Sequence, residues 1–147
     1  MSDQSEDALG LKIARALNAA ETTAPFWDLK VEDAGAGWAR CSMIVGADML
    51  NGLGTAHGGM VFALADTAFA YACNSRNVRT FAQHASISYL SPGKPGETLT
   101  AMAREDAAEG RTGVYTVTVT GEDGRIVAVF QGLSRTAGGK VVEDIPD

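Results

Sequence analysis

The sequence predicts an α+β protein in which one long antiparallel sheet curls around a central helix and a second helix lies at the N-terminus. Three observations lead there. Residues 57–74, "HGGMVFALADTAFAYACN", are apolar on nearly all sides, because Met60, Val61, Phe62, Leu64, Phe69 and Tyr71 do not fit one stripe. Such a helix has to be surrounded. After it, long alternating segments are joined by short turns, the pattern of an antiparallel meander. Ahead of it, residues 8–21 carry an amphipathic helical pattern. A sheet face, a cover helix and a second subunit together would bury the central helix completely.

Each element has its own signal. In "ALGLKIARALNAAE" the stripe is Leu9, Ile13, Ala16, Leu17 and Ala20, with Lys12, Arg15 and Asn18 off it. "FWDLKVEDA" and "GWARCSMIV" alternate with period two about "GAG", which reads as a hairpin. "GADMLNGLGTA" is a Gly-rich loop opening the central helix. "TFAQHASISYL" reads as a strand ended by the two-proline turn "SPGKPG". "ETLTAMAREDA", "TGVYTVTVTG" and "RIVAVFQGLSRTA" continue the meander across "EG" and "EDG". The tail "GGKVVEDIPD" is expected to be polar and loose. The 147 residues fit one domain, 1–147, with a core over about 25–139 and a tail over 140–147.

Composition sets bounds on function. With 46% apolar and 20% charged residues the chain is an ordinary globular one. A net charge of −6 argues against a nucleic-acid partner and gives no long-range attraction to an anionic ligand. Any such ligand needs a few local cations. The start "MSDQSEDALG" is acidic and polar, unlike a signal or transit peptide. The longest apolar run is shorter than the roughly 20 residues that span a bilayer, and it contains an Asp. Cys41 and Cys73 read as buried free thiols in a reducing cytoplasm.

Asp66 is the only charge between Met60 and Cys73. A buried carboxylate is costly unless it is paired, hydrogen-bonded or neutralised. It could lie on one wet stripe or take a hydrogen bond from Thr67. The approach "NGLGTAHGG" adds a second possibility. Free N–H groups at a helix start bind negative charge, and Gly58 and Gly59 leave them unshielded. Asp66 follows Gly58 by eight residues, about 12 Å along a helix, so it cannot serve its own helix start. Two such helices crossing antiparallel near Phe62 about a two-fold axis would bring each Asp66 to the other chain's Gly58. The expectation is an active site shared across a dimer interface, two per dimer.

His57 reads either as a cap or as a group that orients the helix start or donates to a carbonyl. Asn51 reads either as a turn former or as the holder of an attacking water. His84 and Asp106 read as structural. There is no G-x-S-x-G, no P-loop and no metal-ligand spacing, and "GLGTAH" lacks the last Gly of a dinucleotide fingerprint.

At these residues the chain resembles the hotdog-fold thioesterases, and most closely the PaaI-type acyl-CoA thioesterases of phenylacetic acid degradation. The resemblance covers about residues 30–139. It is anchored by "DMLNGLGTAHGGMVFALADTAFAYACNS", "YLSPGKPGETLTA", "TGVYTVTV" and "VAVFQGLSR". It implies a hotdog fold, a homodimer built through continuous sheets, a homotetramer as a dimer of dimers, and an acyl-CoA substrate with an aryl-acetyl group. By position it places the catalytic carboxylate on Asp66, the oxyanion N–H on Gly58, and the motif Asn and His on Asn51 and His57. Some related enzymes have a water-orienting Ser or Thr early in the third strand, where this chain has Ala82.

Substrate contacts are then expected at Gly59, Thr67 and Tyr89, with Leu90, Met60 and Phe62 as further walls. Arg111 and Arg135 are expected to receive coenzyme A, with Lys94, Arg76 and Arg79 as further candidates. No cofactor is implied, since coenzyme A is part of the substrate. The carboxylate acts either as a general base or as a nucleophile. Two other readings are a non-catalytic acyl-CoA-binding module and a hotdog hydratase or dehydratase. "HGG…LAD" does not match the latter.

Overall fold

The computed structural model describes residues 2–145, leaving the side chain of Ser2 aside. Helix α1 (Ser2–Ala20) and the short α2 (Thr23–Trp27) precede a hairpin of β1 (Lys30–Gly35) and β2 (Trp38–Ile44). A 3-10 turn over Ala47–Met49 leads to α3 (Gly58–Cys73), and β3 (Val78–Tyr89), β4 (Thr98–Glu109), β5 (Thr112–Thr120) and β6 (Ile126–Lys140) follow. All strand pairs are antiparallel, in the order β1-β2-β4-β5-β6-β3. Register shifts at Val31/Asp33, Ala82/His84 and Glu105/Ala107 mark bulges, which bend and twist the strands concerned. The sheet thereby curls around α3, which contacts β2, β4, β5, β3 and β6.

The core forms where α3 meets the sheet. Phe69, Tyr71, Leu64 and Val61 pack with Phe130, Val117, Val119, Leu99 and Met43. Phe69 stands edge-on to Tyr115 with centroids 5.4 Å apart, and Phe62 stands edge-on to Phe130 at 5.3 Å. Gly132 makes room for this cluster, since a Cβ there would lie 2.7 Å from ring carbons of Phe69.

Three expectations need correction. The strand expected from Phe26 begins at Lys30. Pro25 fits the first turn of a helix, and α2 ends at Asp28, whose φ of 49° turns the chain into the strand. On α1 the buried residues are Gly10, Ile13 and Ala14, with Leu9, Ala16 and Leu17 half-buried and Ala20 exposed. A Cβ on Gly10 would sit 2.4 Å from the Gly35 carbonyl, so helix and strand approach backbone to backbone. The acidic start belongs to this helix, where Asp7 Oδ1 accepts the Ala36 N–H at 2.8 Å and the Trp38 indole N–H at 3.3 Å.

The tail expected to be loose is held through residue 145. Asn77, at φ 63°, accepts the Val141 and Val142 N–H groups at 3.1 and 2.9 Å and donates to the Val142 carbonyl at 3.0 Å. Ile145 is buried, and its carbonyl accepts from Lys140 Nζ at 3.2 Å.

Gly132→Ala is expected to destabilise the fold by about 1–3 kcal/mol, because the added methyl overlaps a ring that has no space to move into. A calorimetric thermal midpoint within a degree of wild type would show that the Phe69 cluster yields instead.

Candidate active site

The segment entering α3 is held by its own hydrogen bonds. Asn51 Oδ1 accepts the N–H groups of Leu53 at 2.9 Å and Thr55 at 3.1 Å, and Asn51 Nδ2 donates to Thr55 Oγ1 at 3.0 Å. Its amide is thus spent inside the loop. Ala56 N–H then donates to the Gly93 carbonyl at 2.9 Å, and His57 N–H donates to the Met49 carbonyl at 2.8 Å. His57 is extended (φ −60°, ψ 133°) and caps α3, with Nδ1 accepting the Gly59 N–H at 2.9 Å. An accepting Nδ1 puts the proton of a neutral imidazole on Nε2.

Met60 and Val61 donate to the His57 carbonyl at 2.9 and 3.2 Å. Among the described residues, no acceptor takes the Gly58 N–H. Tyr89 fixes the next peptide, Gly58–Gly59, by donating its hydroxyl to the Gly58 carbonyl at 2.7 Å. A cavity of about 290 Å³ opens here, its walls including Asn51, Gly58, Tyr89, Leu90, Pro92 and Val127.

Asp66 is half-buried on α3 and has no hydrogen bond or ion pair among the described residues. Burial raises its pKa above the usual carboxylate value, and the nearby Glu21 carboxylate raises it further. Thr67 does not serve it, since its hydroxyl donates to the Ala63 carbonyl at 2.7 Å within the helix. Thr67 is buried and does not line the Gly58 cavity of its own chain. Gly59, Phe62, Ala63, Asp66, Ala70 and Cys73 are all exposed or half-buried, and together they trace one stripe along α3. Strand β3 pairs with β6 alone, so one of its edges is open, and Phe81, Ala82 and Tyr89 are exposed along it.

The candidate cations differ in availability. Arg76 is paired with Glu105 at 2.9 Å, Arg79 lies over the Phe81 ring at 5.8 Å, and Lys94 sits in a hollow shared with Glu97, Glu122 and Asp123. Arg111 and Arg135 are exposed, and neither has an ion pair among the described residues. Arg111 borders a second cavity of about 220 Å³, beyond the C-terminal end of α3, together with Arg76, Cys73 and Ser134.

Burial pushes the thiols of Cys41 and Cys73 up to about 12, so both stay protonated at neutral pH. Asp106 accepts from Thr116 at 2.6 Å, and His84 is exposed on β3. Among the described residues, no group of three His, Cys, Asp or Glu side chains could hold a metal, and no helix is long and apolar enough to cross a membrane.

Sequence reasoning missed three charged groups. Glu21, just after α1, lies close enough to raise the Asp66 pKa, while half-buried Arg125 and buried Glu97 form an ion pair behind the Gly58 cavity. Each acquires its place only through tertiary packing.

A central helix wrapped by one antiparallel sheet, with a capped but unfilled helix start, defines a hotdog domain. The family model for the thioesterase superfamily matches residues 53–128. The acyl-coenzyme A thioesterase PaaI of Escherichia coli K12 is 45% identical over 105 residues, 71% of this chain and 75% of that protein. The solved structure of the E. coli PaaI protein from the phenylacetic acid degradation operon superposes with a TM-score of 0.91 at 36% identity, covering 93% of this chain and 99% of that one. A hypothetical thioesterase of Streptococcus pneumoniae, solved with coenzyme A, superposes at 0.73 with 27% identity over 76% and 88% of the two chains. The chain belongs to the thioesterase superfamily, and it is a thioester hydrolase.

The raised Asp66 pKa makes its charge a cost to folding. Above its folded pKa the carboxylate is ionised in both states and the cost is full. Below the ordinary carboxylate value it is protonated in both and the cost vanishes. Asp66→Asn is therefore expected to raise the thermal midpoint at pH 7, with the gain fading at about pH 3–4. A lowered midpoint at pH 7 would show that a partner stabilises the ionised acid.

Proposed function

We propose that the protein hydrolyses acyl-coenzyme A thioesters, with aryl-acetyl acyl groups favoured, at two sites per homodimer. Each site would join the Gly58 N–H of one protomer to the partner's Asp66. The observation that carries this reading is that one helix bears a peptide donor without an acceptor and a carboxylate without a donor, about 12 Å apart along the axis. The open stripe on α3 and the open edge of β3 are the surfaces that a second copy would cover. The E. coli relative supports the substrate class, and the streptococcal relative solved with coenzyme A supports the leaving group. Pairing of two dimers into a tetramer is consistent with this reading, as is residence in the cytoplasm.

In this mechanism the thioester oxygen accepts from the Gly58 N–H, with the positive end of the α3 dipole behind it. His57 holds the Gly59 N–H and Tyr89 holds the Gly58 carbonyl, so the donor is oriented before substrate arrives. The partner's Asp66 either takes a proton from the attacking water or attacks the carbonyl to form a mixed anhydride. In both routes the C–S bond breaks and the coenzyme A thiolate leaves and is protonated; in the covalent route water then cleaves the anhydride, releasing the free acid and restoring the Asp66 carboxylate. Label from ¹⁸O-water in the Asp66 carboxylate after one turnover would mark the covalent route. The reaction needs no further cofactor. Asn51 contributes by shaping the loop. Of the candidate cations, Arg111 and Arg135 are exposed and outside any ion pair among the described residues, which suits them to receive coenzyme A phosphates, and charge reversal at a true contact raises KM with kcat nearly intact.

Mixing two dead variants tests the shared site. Asp66→Asn removes the acid. Gly58→Pro removes the donor at a first-turn position where proline is tolerated, and the extended His57 before it suits a following proline. Each alone is expected to lower kcat on phenylacetyl-CoA by about 10²-fold or more. Unfolded together and refolded as a mixture, they are expected to regain about a quarter of wild-type activity, since half the dimers are mixed and each of those has one intact site. No regain would mean that the acid and the amide act within one chain. Binding of acyl-CoA without hydrolysis by the wild type would favour the non-catalytic module instead.

The Asp66 charge state should also set the acidic limb of the rate profile. Activity is expected to fall as pH drops through a pKa above the ordinary carboxylate range. Glu21→Gln is expected to move that limb to lower pH by removing the nearby like charge. An unmoved limb in the kcat profile would exclude Glu21 as a tuning group.

A further inference from the structure

One ion pair, between half-buried Arg125 and buried Glu97, stands directly behind the Gly58 cavity and takes no part in the mechanism above. Arg125, in the turn before β6, donates from Nη2 to Glu97 Oε1 at 2.7 Å and from Nη1 to Glu97 Oε2 at 3.1 Å. Glu97 is 8% exposed, and its carboxylate also accepts the N–H groups of Lys94 at 2.9 Å and Glu122 at 3.3 Å. A surface pair holds two long side chains for little gain, but here every arm of the guanidinium is used. Nε donates to Ser91 Oγ at 3.1 Å, Nη2 to the Pro92 carbonyl at 2.9 Å, and Nη1 to Asp123 at 2.8 Å. Ser91 Oγ in turn donates to the Ile126 carbonyl at 2.7 Å.

Ser91, Pro92 and Gly93 form one wall of the cavity opposite Asn51 and Gly58. The wall then makes one bond into the catalytic segment, where the Gly93 carbonyl takes the Ala56 N–H at 2.9 Å. Ala56 immediately precedes the capping His57 and the oxyanion donor Gly58. A Cβ on Gly93 would lie 3.0 Å from Ala56 Cβ, so the two backbones sit in close contact. The fork of Arg125 is thus connected by hydrogen bonds through residues 91–93 to the start of α3.

We propose that Arg125, locked by Glu97, is a positioning residue for the thioesterase site. It sets the 91–93 wall and, through the Gly93–Ala56 bond, the placement of the Gly58 N–H. This rests on the proposed role of Gly58. A lysine cannot fill the site, because a single ammonium does not reproduce the planar fork that reaches Glu97, Ser91 and Pro92 together.

The test uses the full chain with Arg125→Lys, Arg125→Gln and the double variant Arg125→Gln/Glu97→Gln. The readouts are kcat on phenylacetyl-CoA, the thermal midpoint, and hydrogen exchange of the Ala56 amide. Arg125→Gln strands a buried carboxylate and is expected to lower the midpoint, while the neutral double variant is expected to recover it. Positioning predicts that kcat stays about tenfold down in both, and in Arg125→Lys, with faster Ala56 exchange in all three. A purely structural role predicts that kcat returns with the midpoint, and that result would overturn the proposal. Wild-type protection of Ala56 in Arg125→Gln would overturn it as well. The exchange readout is independent of turnover, so it still decides the positioning role if no acyl-CoA is hydrolysed.

Discussion

Helix α3 carries an open peptide donor and an open carboxylate that cannot meet on the same helix. The Gly58 N–H and the Asp66 carboxylate sit on one rigid element, separated by a distance that helical rise alone sets. Every other feature near the site follows from leaving both unfilled. The cap at His57 occupies the Gly59 N–H and not the Gly58 N–H, the Tyr89 hydroxyl takes the Gly58 carbonyl of that same Gly58–Gly59 peptide, and Thr67 turns its hydroxyl back to the helix. Local partners are used up, and among the described residues one donor and one acceptor remain open. A two-fold pairing of helices is the simplest arrangement that completes both at once.

The strands were legible because the sheet has a face against α3, and burial on one face writes a period of two into the sequence. Strand β5 shows this along its whole length, with residues 113, 115, 117 and 119 buried and their neighbours half-buried. The central helix was legible for the opposite reason, its near-lack of periodicity. The misjudged places are those where small or polar residues carry the packing. Gly10 and Ala14 face the sheet because a glycine lets α1 approach Gly35, a contact that a hydrophobic stripe does not encode. The tail looked loose because its anchor is Asn77, a single side chain more than sixty residues away in sequence.

The candidate site was legible to the extent that it lies on one element. Asn51, His57, Gly58 and Asp66 fall within sixteen consecutive residues, and simple helix geometry relates the last two. The groups that tune or hold them come from elsewhere. Tyr89 is thirty-one residues from the glycine it pins, and Arg125 is twenty-eight from Glu97. Glu21 looked like one more polar residue at the end of an amphipathic helix. The hydrogen bond that Thr67 could have given Asp66 goes instead to Ala63, since a threonine inside a helix has its own i−4 carbonyl within reach.

Charge placement links these levels. A chain of net charge −6 repels a polyanion at long range, so steering contributes little to encounter and affinity has to come from contacts made on arrival. Several of its cations are already committed to holding the fold. Arg125 secures a cavity wall, Arg76 bridges to Glu105, and Arg79 lies over Phe81. Those commitments leave Arg111 and Arg135 without carboxylate partners at the surface. The same economy governs the acid. Glu21 and burial both disfavour the charged form of Asp66, and neither an arginine nor a lysine is set beside it to offset them. A carboxylate kept short of partners is a stronger base than a paired one, which is the property that the general-base route of the proposed mechanism draws on.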